Sequence, residues 1–190
     1  GKIRPWHGWV PGSIPGRSIF NKKMMNFTKQ EIEKIKEDKI FRKKMFAKTF
    51  WVKPLYEYKE YPQGDHAHHK RFFRILKIYF KAYIPRFILK EMKINNKRLI
   101  LIIQEEVLGK KINLREIKNL LKLKINRNFK LGLKRLLKRN FVLDFYAYHG
   151  NFIESKKHKI VYIDTRMPIF CNESEERYKI SKNRTLNLLG

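Results

Sequence analysis

Apolar residues fall into blocks whose spacing changes along the chain. Thr28 and Glu31 form a T-x-x-E capping box ahead of Ile32 and Ile35, and Phe27 can staple onto Ile32. Ile32, Ile35, Phe41, Met45 and Phe46 continue a loose helical face, with charges of both signs opposite. Over 49–64 the period is lost. Trp51, Leu55, Tyr56, Tyr58 and Tyr61 interleave with Lys and Glu, and Pro54, Pro62 and Gly64 punctuate, which predicts an irregular or short-strand connector. A second helix is expected over about 66–93. Lys70, Arg74, Lys77 and Lys81 make one stripe of it. Phe72, Phe73, Ile75, Leu76, Ile78, Tyr79, Phe80 and Tyr83 cover most of the rest, so this helix needs partners on several sides. Pro85 should kink or divide it, and Asn95-Asn96 should stop it.

The apolar run at 97–107 fits a buried strand or a short helix. Asn113 and Glu116 make another capping box, followed by Leu114, Ile117, Leu120 and Leu121 at helical spacing. A further helix is expected over about 128–139, with Phe129, Leu133, Leu136 and Leu137 on its apolar side and Asn140 as a left-handed cap. Two strand-like runs follow, Phe141–Tyr148 and His158–Asp164. Residues 1–26 read as an extended arm. Pro5, Pro11, Pro15 and three glycines break any helix there, while Trp6 and Trp9 need a groove to fill. The fold class expected is α+β. A helical and extended N-terminal region (arm 1–26, helical extension with connector 27–97) precedes a small α/β module with an antiparallel hairpin (98–190).

Charge changes the picture. The 190 residues carry 45 Lys+Arg against 17 Asp+Glu, a formal net charge of +28. Self-repulsion on that scale points to a polyanionic partner. With 43% hydrophobic and 14% aromatic residues, the chain is too apolar for a disordered basic tail. No run reaches the roughly 18–20 apolar residues of a spanning helix, so no transmembrane segment is expected. The single cysteine, Cys171, excludes an internal disulfide and fits a reducing compartment.

The densest base lies between Gly109 and Asn140, where Glu116 is the lone acid. Lys130, Lys134 and Lys138 recur one helical turn apart with Arg135 and Arg139 beside them, a row suited to phosphates. Lys156 and Lys157 add charge in the loop between the strand-like runs. His66, His68 and His69 cluster with Asp65, but their spacing supplies two ligands where a metal site needs three or four, so no metal or other cofactor is expected. Catalytic motifs are missing: no P-loop, no dinucleotide fingerprint, no G-x-S-x-G, no H-E-x-x-H. Glu173, Glu175 and Glu176 blunt Cys171 as a nucleophile, and Glu105-Glu106 face different sides of an element. The residues read as a non-enzyme with no small-molecule substrate.

Phe129–Tyr148 resembles the second helix and following strand of ribosomal small-subunit protein eight, with Asn140-Phe141 at that family's Gly-hydrophobic pair. His158–Thr165 is similar to its next strand. Tyr178–Leu188 resembles its I-S-K/R-P-x-x-R segment, with Ile180, Ser181, Lys182 and Arg184 aligned and Asn183 in place of proline. The resemblance covers residues 129–188 and implies a structural, non-catalytic rRNA-binding role, placing Lys130, Ser181, Lys182 and Arg184 near RNA. The long N-terminal extension makes the chain look like a mitochondrial ribosomal protein of the small subunit. The expected partners are ribosomal RNA and neighbouring ribosomal proteins, in the mitochondrial matrix. The alternative is an accessory structural subunit of an inner-membrane respiratory complex, suggested by the apolar, basic-striped helix after residue 66.

Overall fold

The computed structural model describes residues 26–56, 66–146, 148–164 and 172–190. The expected arm with Trp6 and Trp9 lies outside the described residues, as do Tyr58, Tyr61, Asp65 and Cys171. The fold is α+β. Its larger sheet is antiparallel with four strands in the order β1-β2-β4-β3: β1 Phe41–Met45, β2 Lys48–Tyr56, β3 Phe87–Ile94 and β4 Lys97–Glu105. The smaller sheet has three antiparallel strands: β5 Lys110–Lys111, β6 Phe152–Glu154 and β7 Ile160–Tyr162. Helices α1 Lys29–Lys36 and α2 His66–Phe80 go with the larger sheet. Helices α3 Leu114–Leu120, α4 Arg127–Leu137, the one-turn α5 Tyr148–Asn151 and α6 Asn172–Leu189 go with the smaller.

β4 shows why its sequence is ambiguous. Leu99 to Ile103 are all buried because both faces of the sheet are covered. Leu99, Leu101 and Ile103 join Val52, Phe50 and Phe41 in an outer core closed by Ile35 of α1. Ile100 and Ile102 face the other way, with Leu55 and α2, into the main core shared with α4 and the small sheet. The alternation of β2 therefore sets Lys53 on the same face as Leu55, the inner one.

Both capping boxes form, at Thr28/Glu31 and Asn113/Glu116. Asn140 takes a left-handed conformation at φ 57°, as its position predicts. The apolar side expected for the 128–139 helix is the buried one, with Phe129, Leu133 and Leu136 inside. α4 approaches α2 so closely at Gly132 that a Cβ there would lie 2.8 Å from the Phe80 ring.

Three local expectations differ from the fold. The helix from Thr28 stops at Lys36, and Phe41 and Met45 belong to a strand. The helix predicted over 66–93 ends at Phe80. The chain turns through Pro85 into β3, and Asn95-Asn96, at φ 49° and 60°, close a two-residue β-hairpin rather than end a helix. That hairpin crosses the expected boundary at 97/98. Phe141 to Phe145 form no strand. Their side chains are buried while the backbone is held largely by side chains: Ser181 Oγ accepts from the Phe145 and Tyr146 N–H groups at 3.1 Å each.

Candidate active site between the two sheets

The two sheets face each other across a cleft of about 330 Å³. Trp51, Val107, Leu108, Ile153 and Ile163 give it apolar walls, and Lys53, Gln104, Glu106 and Lys111 supply polar and charged groups. That size and lining suit a small molecule with one flat apolar part and a few fixed polar contacts. The linker from β4 to β5 forms one edge. Among the described residues, no backbone hydrogen bond outside the regular elements uses the N–H or C=O of Val107 or Leu108. Gly109 is required where the linker passes β6, since a Cβ would meet the Glu154 carbonyl at 2.3 Å.

Lys53 enters from β2. Its ammonium donates to Gln104 Oε1 at 3.0 Å and to the Ile163 carbonyl at 3.1 Å. The Gln104 amide donates to the same carbonyl at 2.9 Å. Gln104 comes from β4, whose register places it beside Trp51 of β2. Ile163 is the residue before Asp164, so these bonds fix the end of β7 and the half-buried Asp164 that follows it. The network continues. The Ile163 N–H donates to the Asn151 carbonyl at 2.9 Å, and the Asn151 side-chain amide donates to the Asp144 carbonyl at 2.9 Å. The Asp144 carboxylate is buried and accepts from the Tyr146 N–H at 2.9 Å and the Arg177 guanidinium at 3.0 Å. An ammonium, a guanidinium, the Asp144 carboxylate and two amides, drawn from β2, α6, the loop after α4, β4 and α5, are thus linked through protein atoms, with the Ile163 backbone just after β7 as the hub.

The arrangement has a clear chemical capacity. A cation held at the back of an apolar cleft can pair with phosphate oxygens. Asp164 and the Asn151 carbonyl-type oxygen are hard donors that suit Mg²⁺, which takes one or two carboxylates and fills its remaining positions with phosphate and water. Among the described residues there is no group of three His, Cys, Asp or Glu side chains that could hold a metal.

The residues singled out for RNA contact are dispersed. Lys134, Arg135, Lys138 and Arg139 are exposed on or just after α4, and Lys130 is partly buried there. Lys156 and Lys157 sit on the turn between β6 and β7. Ser181 is fully buried under the 145–146 backbone. Lys182 is exposed, and Arg184 donates to the Phe145 and Tyr146 carbonyls at 2.7 and 3.1 Å. None of them lines the cleft. Lys53, Gln104, Asp144, Asn151 and Asp164 were not singled out. A usable signal was the pair of short strands 152–154 and 160–162, one preceded by Asn151 and the other followed within two residues by Asp164. His66, from the histidine cluster, places Nε2 3.0 Å from the Leu55 carbonyl.

No family model matches the chain, and no curated protein matches it. Among solved structures, the chain is similar to the kinase PK-1 of Cydia pomonella granulovirus, at 15% identity and a TM-score of 0.41, covering 74% of this chain. The chain spans 58% of that kinase's length. The solved structure it resembles is a kinase where a ribosomal protein was expected, which corrects the ribosomal identity, role and partners and withdraws the exclusion of catalysis and of a small-molecule substrate. The respiratory-subunit alternative falls with them. The residues behind the ribosomal resemblance also behave differently, since Phe141–Phe145 is not a strand and Tyr178–Leu188 lies within α6. Among the described residues, no helix is long and apolar enough to cross a membrane.

Proposed function

We propose that this chain is a nucleotide-dependent phosphotransferase domain, with a nucleoside triphosphate seated in the cleft between the sheets. The observation that carries this reading is the pairing of Lys53 and Gln104 on the carbonyl of Ile163, the residue before Asp164. It fixes a cation among the groups lining a cleft of about 330 Å³ and ties that cation to the backbone immediately before Asp164. The base stacks between Trp51 and Val107 on one side and Ile153 on the other, with linker backbone at its edge. The phosphates extend toward Lys53. A divalent metal bound with the phosphates would supply charge neutralisation on the transferring group.

The protein's own part is mostly positioning, because phosphoryl transfer asks for little covalent chemistry from its surroundings. Lys53 orients the phosphate chain. Asp164 and Asn151 are the residues that would hold such a metal. Asp144 organises the loop: its carbonyl fixes Asn151 and its carboxylate fixes the Tyr146 N–H. Two departures from the protein-kinase signature set temper the expected rate. α2 contains no Asp or Glu, so it does not supply the acid that pairs with the lysine in that signature. The β1–β2 turn is Phe46-Ala47 rather than glycine-rich, so backbone N–H groups of such a loop do not cover the phosphates.

The reading is tested by calorimetric titration of the chain with a nucleoside triphosphate and Mg²⁺. Binding that disappears in Lys53→Met, with the thermal transition retained, supports it. Absence of binding to any of the four common nucleoside triphosphates contradicts it.

A further inference from the structure

The molecule carries a second conspicuous surface, away from the cleft. α2 and α4 pack side by side, and neither contains an Asp or Glu; from His66 to Lys90 and from Ile117 to Leu143 the chain has no acid at all. The two helices leave a shallow groove of about 290 Å³ between them, lined by Ile78, Tyr79, Lys81, Leu131 and Arg135 among others. Helical spacing repeats one motif on both rims. Arg74 on α2 and Lys81 in the turn just after it flank Ile78; on α4, Arg127 and Arg135 flank Leu131. Ile78 is 72% exposed and Leu131 41% exposed, so two aliphatic side chains stand uncovered at the centre of a wholly cationic wall.

We propose that this wall docks the protein on an anionic lipid surface. Apolar side chains ringed by Lys and Arg match a membrane interface, where aliphatics enter the acyl boundary while cations stay among the headgroups. Charge complementarity needs an anionic leaflet because the wall has no acid to repel one. The apolar groups favour lipid over nucleic acid. A single-stranded nucleic acid would seek open aromatic faces for stacking. The aromatics in this groove are already engaged: Tyr79 lies under Arg135 and Arg139, with guanidinium carbons 5.7 and 5.6 Å from its ring centre, and Tyr83 is buried with the Lys159 ammonium 5.1 Å from its ring centre. What remains open is aliphatic. Lys77 does not belong to the wall: its ammonium sits 4.7 Å from the centre of the Phe87 ring. No wall residue lines the nucleotide cleft, so this inference stands or falls apart from the proposed activity.

The test is co-sedimentation of the full chain with vesicles of phosphatidylcholine alone and vesicles containing a third phosphatidylglycerol, alongside a mobility-shift titration with polyuridylate. The chain should sediment with the anionic vesicles only. Ile78→Ser with Leu131→Ser should weaken that partition by about tenfold, and Arg135→Gln with Arg139→Gln by about thirtyfold at low salt. Ile78→Trp should strengthen it, which guards against loss through misfolding. Equal sedimentation of the serine variant and the parent would overturn the proposal, since adsorption would then be charge alone. Binding of polyuridylate with the vesicles ignored would assign the wall to nucleic acid and overturn it too.

Discussion

The cleft and the α2–α4 wall represent opposite ways of placing polar chemistry on one molecule. The wall is dense and local: its cations come from two helices, recur at helical spacing and point into solvent. The cleft is sparse and assembled: its few polar groups come from six parts of the chain and are held by one another. Surface cations act through summed field, which tolerates any single loss. A fixed cluster acts through geometry, and one lost member leaves its partners misplaced. On the proposed reading, charge density marks the contact with a large partner, and the network of Lys53, Gln104, Ile163 and Asn151 marks the contact with a specific ligand.

Substitutions can break or sharpen that contrast. The largest effect is expected from Asp164→Asn, which should lower metal-dependent turnover about a hundredfold or more; a steady-state assay checks it, and a loss under about fivefold would remove Asp164 from the site. Gly132→Val pushes a side chain into the Phe80 ring and should cost about 2 kcal/mol of stability in urea unfolding. Because Gly132 sits where the two helices meet, this change should also weaken vesicle binding through the damaged wall. Ala47→Gly relieves a left-handed φ of 57° in the β1–β2 turn and should stabilise the fold by about 1 kcal/mol. Nucleotide affinity should stay unchanged, because the turn does not line the cleft. On stability, the smallest effect belongs to Arg135→Gln with Arg139→Gln. Loss of two cation–π contacts with Tyr79 should cost about 1 kcal/mol or less of stability and leave nucleotide binding alone.

The same contrast explains what the sequence reveals. Capping boxes, the apolar side of α4, the left-handed Asn140 and the basic rows are local patterns, and each is readable within a few residues. The α+β class is readable too. The end of α2 is not. Phe87–Ile94 continues an apolar-basic mixture that also suits a helix, and only pairing with β4 makes it a strand. Asn95-Asn96 suits a helix stop and a hairpin turn equally until that pairing is known. Phe141–Phe145 looks like a strand because its side chains are core residues, yet its backbone is held by α6 side chains. The cleft was hidden by distance along the chain. The bonds that define it join residues 51, 59 and 110 positions apart. Lys53 is one of 45 cations and has no local mark of its role. The ribosomal reading weighted the abundant signal and passed over the sparse one.

The central claim is that Lys53 and the end of β7 together hold the phosphates of a nucleotide. Calorimetric titration of a Mg²⁺–nucleoside triphosphate into the parent chain and into Lys53→Met tests it most directly. The account predicts saturable binding at one site in the parent and a loss of about tenfold or more in the variant. Equal affinity in both, or no heat in either, would contradict it.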